Sequence, residues 1–328
     1  MRAAVERTFH PNLIAGMDPQ ALARRTESLR AEATPHHVSH RVLRRLERNR
    51  LGIRRSISFR AKVHEMSEAR YLDGVLRPTW RLDTKNSAYN FVDAIGVRRP
   101  RSDKSRYSLA DAPKDSPGVL KATRSTGSRG CYLIYSEDHI VHVRDGQTFE
   151  SIGEMTQHAH KLMNAQRNPV RDNWMWEELI LEDVANRIPA RDLKFYAFYG
   201  EVVIVRESVR TGAETKVAYW DADTQQRDMG HPQDFDFPRL GFTPDEASLV
   251  SDISLQIPHP YARIDMLKSE DGLVVGEFTP RPGNFDEFND DWDRILGEAW
   301  VRAESRLMAD LLCGKSFQPF LEATNLLT

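Results

Sequence analysis

The chain has 328 residues and a formal net charge of −2, and its 40% hydrophobic and 29% charged residues are ordinary for a globular protein. At this length two or three subdomains are expected. There is no run of about 18 apolar residues and no apolar leader, and the cysteines Cys131 and Cys313 stand far apart. The sequence therefore argues against a membrane span, a secretory signal, a disulfide framework and a zinc site, and we expect a cytoplasmic protein.

Positive charge is concentrated in the N-terminal part of the chain. Residues 1–70 hold 15 Lys/Arg against 7 Asp/Glu, and Arg41, Arg44, Arg45 and Arg48 recur at helical spacing. A solvated helix face, or one docked on the acidic remainder, accounts for this pattern. The alternative is a groove for an anionic substrate or RNA, but aromatic residues for base stacking are nearly absent here.

Capping residues predict helices in residues 1–111, which we assign to a mainly helical, basic subdomain. Aspartate, serine or threonine at the start of a helix accepts a hydrogen bond from the free backbone N–H groups of the first turn. The predicted helices run from Asp18 to about Ala33, from Ser39 to Asn49, and from Asp83 or Thr84 onward with Tyr89, Phe91, Val92 and Ile95 on the buried side.

Short strands and turns dominate the remainder, residues 112–178 and residues 179–328. The first has predicted strands at 119–122, 131–135, 139–143 and 174–181, and a helix opened by a capping box at 151–154. The second has a hairpin of 193–198 and 201–207, a capping box at 243–246, strands at 261–268 and 273–279, and a long helix after Asn289. This mixture predicts an α+β fold with largely antiparallel sheets.

Two acids on one hairpin give the strongest chemical signal. The Glu-Asp-Gly sequence at 270–272 fits a three-residue loop, a register that pairs Ser269 with Leu273 and, further out, Asp265 with Glu277. Paired residues on one sheet face have β-carbons about 4.5–5.5 Å apart, so two carboxylates there repel unless a cation such as Mg²⁺ joins them. In the alternative, one acid points to solvent beside an arginine such as Arg263 or Arg281.

A lysine before a glycine-containing loop indicates anion binding. Lys121 precedes residues 123–130, in which Gly127 and Gly130 would let backbone N–H groups approach an anion closely. No Gly-Lys-Ser/Thr ends the loop, so it is not a Walker A motif. A flexible hairpin that carries basic residues is the alternative.

Three other sets of charged residues are candidates for binding. Glu177 and Glu178 lie in an apolar run, where they need partners such as an adenine amino group or ribose hydroxyls unless they face water from an edge strand. Arg281, between two prolines, could clamp phosphoryl oxygens or be solvated in a rigid turn. Arg206 and Arg210 could hold a carboxylate or phosphate, or be ordinary surface arginines.

Together these features resemble the ATP-grasp superfamily, and especially its TupA-like group, named for teichuronopeptide biosynthesis. The resemblance is carried by residues 119–134, 176–180, 192–205 and 261–297, most clearly by Asp-Leu-Lys-Phe-Tyr-Ala-Phe-Tyr-Gly at 192–200 and Gly-Glu-Phe-Thr at 276–279. Residues 83–89 are similar to the Asp-Lys opening of that group. The resemblance implies an ATP-grasp fold of three subdomains: an N-terminal one at 1–111, a small lid at 112–178 and a C-terminal catalytic one at 179–328. ATP would be clasped between the last two.

The resemblance also implies a role for each site residue. Ser125, Thr126, Gly127 and Gly130 would belong to a mobile loop over the triphosphate, and Lys121 would contact the α- and β-phosphates. The hinge residues Glu177, Glu178 and Ile180 would flank adenine and ribose, and Asp192 and Lys194 would lie near ribose or phosphate. Asp265 and Glu277 would hold Mg²⁺ with Thr279 or Asn284 as a third ligand, and Arg281 would face the γ-phosphate or an acyl-phosphate.

The implied activity is an ATP- and Mg²⁺-dependent ligase. It would join a carboxylate to the amine of an amino acid or peptide through an acyl-phosphate and release ADP and phosphate. The alternatives are an ATP-grasp phosphotransferase that stops after phosphoryl transfer, and a non-catalytic nucleotide- or RNA-binding protein. Small-molecule substrates are the expected partners; a membrane or a nucleic acid is not expected.

Overall fold

The computed structural model describes residues 1–72, 74, 76–102, 104–123, 127–211, 214–230, 233–234 and 236–325. The chain forms two compact units, one of Met1–Val75 with Gly283–Arg302 and one of Leu76–Pro282 with Ala303–Thr328. Its α-helices are α1 Arg2–Thr8, α2 Pro11–Ile14, α3 Pro19–Glu32, α4 His40–Arg48, α5 Phe59–Leu72, α6 Pro78–Arg81, α7 Lys85–Ala94, α8 Ile152–Met163, α9 Pro244–Leu255, α10 Asp290–Leu312 and α11 Gln318–Ala323. Its strands are β1 Gly118–Ala122, β2 Cys131–Ser136, β3 His139–His142, β4 Thr148–Phe149, β5 Trp174–Glu177, β6 Leu181–Asp183, β7 Ile188–Pro189, β8 Arg191–Ala197, β9 Val202–Thr211, β10 Glu214–Asp221, β11 Ala262–Ser269 and β12 Gly272–Thr279.

The predicted helix caps are confirmed. Asp18 accepts from a backbone N–H of the first turn of α3 at 3.0 Å, and Ser39 does the same for α4 at 3.4 Å. Thr84, the second of the two predicted candidates, caps α7. Local capping chemistry was sufficient to place these helices within about one residue.

The first unit has a helical core with two parts. One is a buried cluster of Val5, Phe9, Ala33, Val42 and Leu46. In the other, α5 packs on the N-terminal half of α10, and a Cβ on Gly297 would lie 2.8 Å from the backbone of residue 58. Only glycine permits that approach of two backbones.

The first sheet of the second unit has the order β4-β3-β2-β1-β5 with antiparallel neighbours. One face packs with α8 in a core that includes Leu120, Tyr132, Ile134, Trp174 and Met155. Because strand residues alternate between faces, Lys121 and Glu177 lie on the opposite face. The prediction of a single strand at 174–181 is wrong, because the structure has β5 up to Glu177 and β6 from Leu181. Strand β5 ends where the N–H of residue 178 donates to the carbonyl of residue 101 at 2.9 Å.

The second sheet of this unit has the order β10-β9-β8-β11-β12, again antiparallel. The predicted hairpin at 199–200 is confirmed, with φ of 39° at Tyr199 and 89° at Gly200. Strand β10 was not predicted, because its first residues are polar and only its end alternates with apolar side chains.

The β11–β12 hairpin corrects one step of the sequence argument. Its loop has two residues rather than three, since Ser269 pairs with Gly272. A β-bulge at Gly276 adds one residue to β12, and the predicted pairing of Asp265 with Glu277 is therefore confirmed. A Cβ on Gly276 would lie 3.1 Å from the Asp265 carbonyl oxygen, so a larger residue would push the strands apart.

None of the helices in the described part of the chain combines the length and the apolar character needed to cross a bilayer.

Candidate active site

Charged side chains form a row across the second sheet. The ladder places Arg206 on β9 opposite Lys194 on β8, Lys194 opposite Asp265 on β11, and Asp265 opposite Glu277 on β12. Directly paired residues share a face of the sheet. The row, called here the charged row, therefore has two cations at one end and two carboxylates at the other.

Asp265 is the buried anion of the charged row, with 3% of its surface exposed. Arg263 donates to both carboxylate oxygens at 2.7 Å, and Lys194 Nζ donates to Oδ2 at 2.9 Å. Burial alone would raise the pKa of Asp265, but the charges of Lys194 and Arg263 outweigh it and lower the pKa well below its usual range. Asp265 is therefore ionised at neutral pH.

The negative charge of Glu277 is less well compensated by nearby cations than that of Asp265. Its side chain is 53% exposed, and the ammonium of Lys85 lies 4.0 Å from its Oε2. Crowding by protein atoms and the charge of Asp265 raise the pKa of Glu277. Two adjacent carboxylates that repel each other and offer oxygen ligands are a donor set suited to a hard divalent cation such as Mg²⁺.

Lys85, the first residue of α7, reaches this pair of acids. Its Nζ donates to the carbonyl oxygen of Gly276 at 2.5 Å. Burial and the charge of Lys121 lower the pKa of Lys85, whereas Glu177 of the first sheet and the two acids of the charged row raise it. Lys85 thus interacts with charged residues of both sheets.

Lys121 is fixed by a buried carboxylate. Lys121 Nζ and the hydroxyl of Tyr89 each donate to a different oxygen of Glu177, which is 4% exposed. Burial opposes ionisation, but the charges of Lys121 and Lys85 and these hydrogen bonds bring the pKa of Glu177 below its ordinary value. The lysine predicted to contact phosphates therefore has a defined position in the first sheet.

The glycine-containing loop of residues 123–130, called here the glycine loop, is described only in part. Gly127 and Gly130 have positive φ of 64° and 70°, which favours glycine at both positions. The N–H of Gly130 donates to His142 Nε2 at 3.3 Å. Ser125 and Thr126 lie outside the described residues, and the phosphate contacts of this loop stay predictions.

The residues predicted near adenine and ribose lie in the segment from the end of β5 to the start of β8. Glu178 accepts from the backbone N–H of Arg101 at 3.0 Å. Ile180 is buried, and its carbonyl accepts from the N–H of residue 190 at 3.0 Å. Asp192 accepts from Lys194 Nζ and adds a third carboxylate beside the charged row. Their contacts with a nucleotide also stay predictions.

The two arginines of β9 differ in their surroundings. Arg210 donates to the carbonyl oxygen of Val143, the residue that follows β3, at 2.8 Å. Arg206 is half-buried, and within the described ranges no residue forms a hydrogen bond or ion pair with its side chain. Arg206 is consequently the more suitable of the two to receive an anionic group.

The segment after Glu277 contains the remaining predicted site residues. Thr279 Oγ1 accepts from Arg263 at 2.9 Å, so this hydroxyl faces the same cation as Asp265. The guanidinium of Arg281 is exposed and lies 5.7 Å from the ring centroid of Trp80. Asn284 belongs to the first unit. The choice of Thr279 or Asn284 as a third metal ligand stays a prediction.

Arg263, Lys85 and Tyr89 contact residues of the candidate site but were not proposed from the sequence as site residues. Arg263 lies two residues before Asp265 and so shares its sheet face, which is a signal that strand alternation provides. Lys85 belongs to the Asp-Lys segment, and Tyr89 follows it by one helical turn on α7. The spacing alone could have indicated all three.

Two antiparallel sheets that carry lysines and carboxylates in this order along the chain are the arrangement expected of the ATP-grasp class. The sequence matches the family described as TupA-like ATPgrasp over residues 65–301, and the chain belongs to that family. The expected family and the α+β ATP-grasp fold are thereby confirmed.

Solved structures similar to this chain include two ligases. D-alanine–D-alanine ligase from Bacillus anthracis is 14% identical over 70% of each chain, with a TM-score of 0.40. The ATP-grasp ligase PsnB, complexed with precursor peptide PsnA2 and AMPPNP, is 12% identical over 92% of this chain and 74% of PsnB, with a TM-score of 0.36. No significant match was found among curated proteins.

Proposed function

We propose that the protein is an ATP- and Mg²⁺-dependent ligase that joins a carboxylate to an amine through an acyl-phosphate and releases ADP and phosphate. The observation that carries this proposal is the charged row, which sets the adjacent acids Asp265 and Glu277 beside Lys194 and Arg206 on one sheet face. The substrates would be an amino acid or peptide amine and a small carboxylate, and the reaction would take place in the cytoplasm.

Asp265 and Glu277, with Thr279 or Asn284, would hold Mg²⁺. The ion supplies neutralisation of phosphate charge during phosphoryl transfer. The oxygens that Asp265 would offer to the ion are the ones that now accept from Arg263 and Lys194. With the ion held there, both cations would be available to phosphate oxygens.

The chain's own cations would provide most of the electrostatic stabilisation of the phosphates and the substrate carboxylate. Lys194 and Lys85 lie beside Asp265 and Glu277, and Lys121 lies beside Glu177. All three lysines would bind the phosphate oxygens of ATP. Arg206, which has no ion-pair partner among the described residues, would orient the substrate carboxylate with its planar fork for attack on the γ-phosphorus. An amine would then attack the acyl-phosphate, and positioning accounts for most of the rate enhancement.

The test is a matrix of amino acids and small carboxylates incubated with protein and Mg·ATP, with mass spectrometry on the positives. A ligase gives ADP and free phosphate together with an amide, only when both substrates are present. A stable phosphorylated product from one substrate would instead identify a phosphotransferase. Asp265→Asn with Glu277→Gln should abolish turnover, whereas Glu270→Gln, at the exposed turn of the same hairpin, should not.

A further inference from the structure

The side chains of His142 and Asp145 are hydrogen-bonded to each other, and His142 also contacts the backbone of the glycine loop at Gly130. His142, the last residue of β3, is 1% exposed. Its Nδ1 lies 2.8 Å from Oδ1 of Asp145, and its Nε2 lies 3.3 Å from the backbone nitrogen of Gly130. The rings of Tyr132 and His158 pack against the imidazole at centroid distances of 5.1 and 4.8 Å.

The backbone of Gly130 determines where the imidazole carries its proton. A peptide N–H can only donate, so Nε2 of His142 must be the unprotonated nitrogen. In the neutral ring the proton is then on Nδ1, which donates to Asp145. Asp145 thereby selects the tautomer that can accept from Gly130.

Two histidines and an aspartate could in principle bind a transition metal here, but the hydrogen bonds of His142 argue against a metal site. Ligand atoms of His142, Asp145 and His158 lie within 4.8 Å of one another. A metal on Nδ1 of His142 would move the ring proton to Nε2. Two N–H donors would then face each other at Gly130, whose buried amide would lose its acceptor.

Gly130 is the point at which the loop rejoins the sheet beside Lys121. Its carbonyl accepts from the N–H of Ala122 at 2.9 Å, and the next residue, Cys131, pairs directly with Lys121. A Cβ on Gly130 would lie 3.3 Å from Ala122, Val170 and Trp174 side chains, so its backbone has little space to shift.

We propose that His142, oriented by Asp145, is a positioning residue that holds the Gly130 backbone, and with it the end of the glycine loop, in the geometry required for nucleotide binding. The nucleotide part of this inference rests on the proposed function. The hydrogen bond from Gly130 to His142 can be tested independently of any activity.

Two substitutions separate the contacts of His142. In His142→Gln the side-chain amide reaches the position of Nε2, so its oxygen can still accept from the Gly130 N–H. In His142→Asn the shorter amide reaches only the position of Nδ1, so it keeps the contact with Asp145 and loses the one with Gly130. Amide hydrogen exchange is measured at Gly130 in the full-length protein. Trp174, whose N–H donates to the carbonyl of residue 107 at 2.9 Å within the same core, is the reference amide.

We expect His142→Asn to accelerate exchange at Gly130 but not at Trp174, and to weaken Mg·AMPPNP binding by about threefold to tenfold, the effect of one hydrogen bond. His142→Gln should leave both quantities near wild type. Unchanged exchange at Gly130 in His142→Asn, equal effects of the two variants, or acceleration at Trp174 as well would overturn the proposal. Tight Zn²⁺ binding by the wild type that is lost in Asp145→Asn would overturn it in favour of a metal site.

The two proposals fail in different ways. If the wild type does not bind Mg·AMPPNP but Gly130 exchanges as expected, the ligase assignment fails and the positioning contact is retained. If nucleotide binds normally in His142→Asn while Gly130 exchanges faster, the contact exists but has no role in binding, and the inference is wrong.

Discussion

At the scale of single residues, Lys121 has two roles that experiments must separate. It neutralises the buried carboxylate of Glu177, and it is the lysine that we propose contacts the nucleotide phosphates. A buried carboxylate that loses its cation is costly, because neither water nor another charge replaces it fully. Loss of ATP binding on substitution of Lys121 would therefore have two possible causes.

We predict that Lys121→Met lowers the free energy of unfolding by on the order of 3 kcal/mol, because Tyr89 is then the one side-chain donor to Glu177 among the described residues. Lys121→Met with Glu177→Gln should recover most of this stability, since the buried group is then neutral. Urea denaturation measures both effects. Affinity for Mg·ATP should remain low in the double variant, and recovery of wild-type affinity there would contradict the phosphate contact.

Glu277 gives a prediction about pH. Its pKa is raised by crowding and by the charge of Asp265, so ionisation of Glu277 destabilises the folded state. The ion-free protein should lose stability as pH rises through this raised pKa. Glu277→Gln removes that loss, and its melting temperature should exceed that of the wild type at neutral pH but not at acid pH. Because 53% of the side chain is exposed, solvent screening keeps the difference below about 1 kcal/mol.

A control and a cation test complete this prediction. Glu270→Gln, on the exposed turn of the same hairpin, should melt like the wild type at both pH values. Mg²⁺ should stabilise the wild type more than Glu277→Gln. Equal stabilisation of both proteins by Mg²⁺ would remove Glu277 from the metal site.

Strand alternation and pairing explain which residue contacts could be predicted. The pairing of Asp265 with Glu277 followed from the hairpin pattern, and the structure confirms it. The double hydrogen bond from Arg263 to Asp265 was not predicted, because it depends on the rotamer of a long side chain and on the burial of both groups. Sequence spacing gives the face of a sheet but not the partner that a charged group selects on it.

At the scale of elements, the bulge at Gly276 sets the register of Asp265 and Glu277, the two candidate metal ligands. A two-residue turn without a bulge would pair Asp265 with Gly276 and turn Glu277 to the other face of the sheet. The bulge residue also offers its carbonyl oxygen to Lys85. One glycine thus positions both an acid and a cation of the candidate site.

We predict that Gly276→Ala destabilises the protein by about 1–2 kcal/mol, since the new methyl group would lie 3.1 Å from the Asp265 carbonyl oxygen. Turnover should fall more than stability, because the strand that carries Glu277 shifts. Gly153→Ala in α8 is the matched control: its nearest atom would be 3.8 Å away, and alanine should stabilise the helix by up to about 1 kcal/mol. Chemical denaturation and ADP release measure the two effects. Wild-type turnover in Gly276→Ala would show that the register of β12 does not matter for activity.

Helices were predicted more reliably than strand ends, for a physical reason. Capping is local, so Ser151 accepts from the N–H of Glu154 as expected, although the Glu154 carboxylate accepts from Glu150 rather than from Ser151. Strand ends depend on partners far along the chain. The N–H at 178 donates to residue 101, and this contact, invisible in local sequence, ended β5 early.

At the scale of the whole molecule, the site residues and the N-terminal positive charge belong to different units. Every predicted site residue except Asn284 is in the second unit, whereas the excess of basic residues in 1–70 is in the first. The family match extends over residues 65–301 and so includes parts of both. Composition indicated the charge asymmetry, but only the fold assigns it to separate units.

This division predicts where nucleotide binding protects the chain from hydrogen exchange. A ligand that binds only the folded state stabilises it by about 2.7 kcal/mol at a concentration 100 times its Kd. With Mg·AMPPNP, slower exchange should be found in β1, β5, β8, β11 and β12, the strands that carry the candidate site. Helices α1, α3 and α4 should exchange as before, because none of the proposed nucleotide ligands lies in them. Asp265→Asn with Glu277→Gln is the control and should show much weaker protection. Protection confined to α3 and α4, or protection by RNA in place of nucleotide, would favour the binding-protein alternative over a ligase.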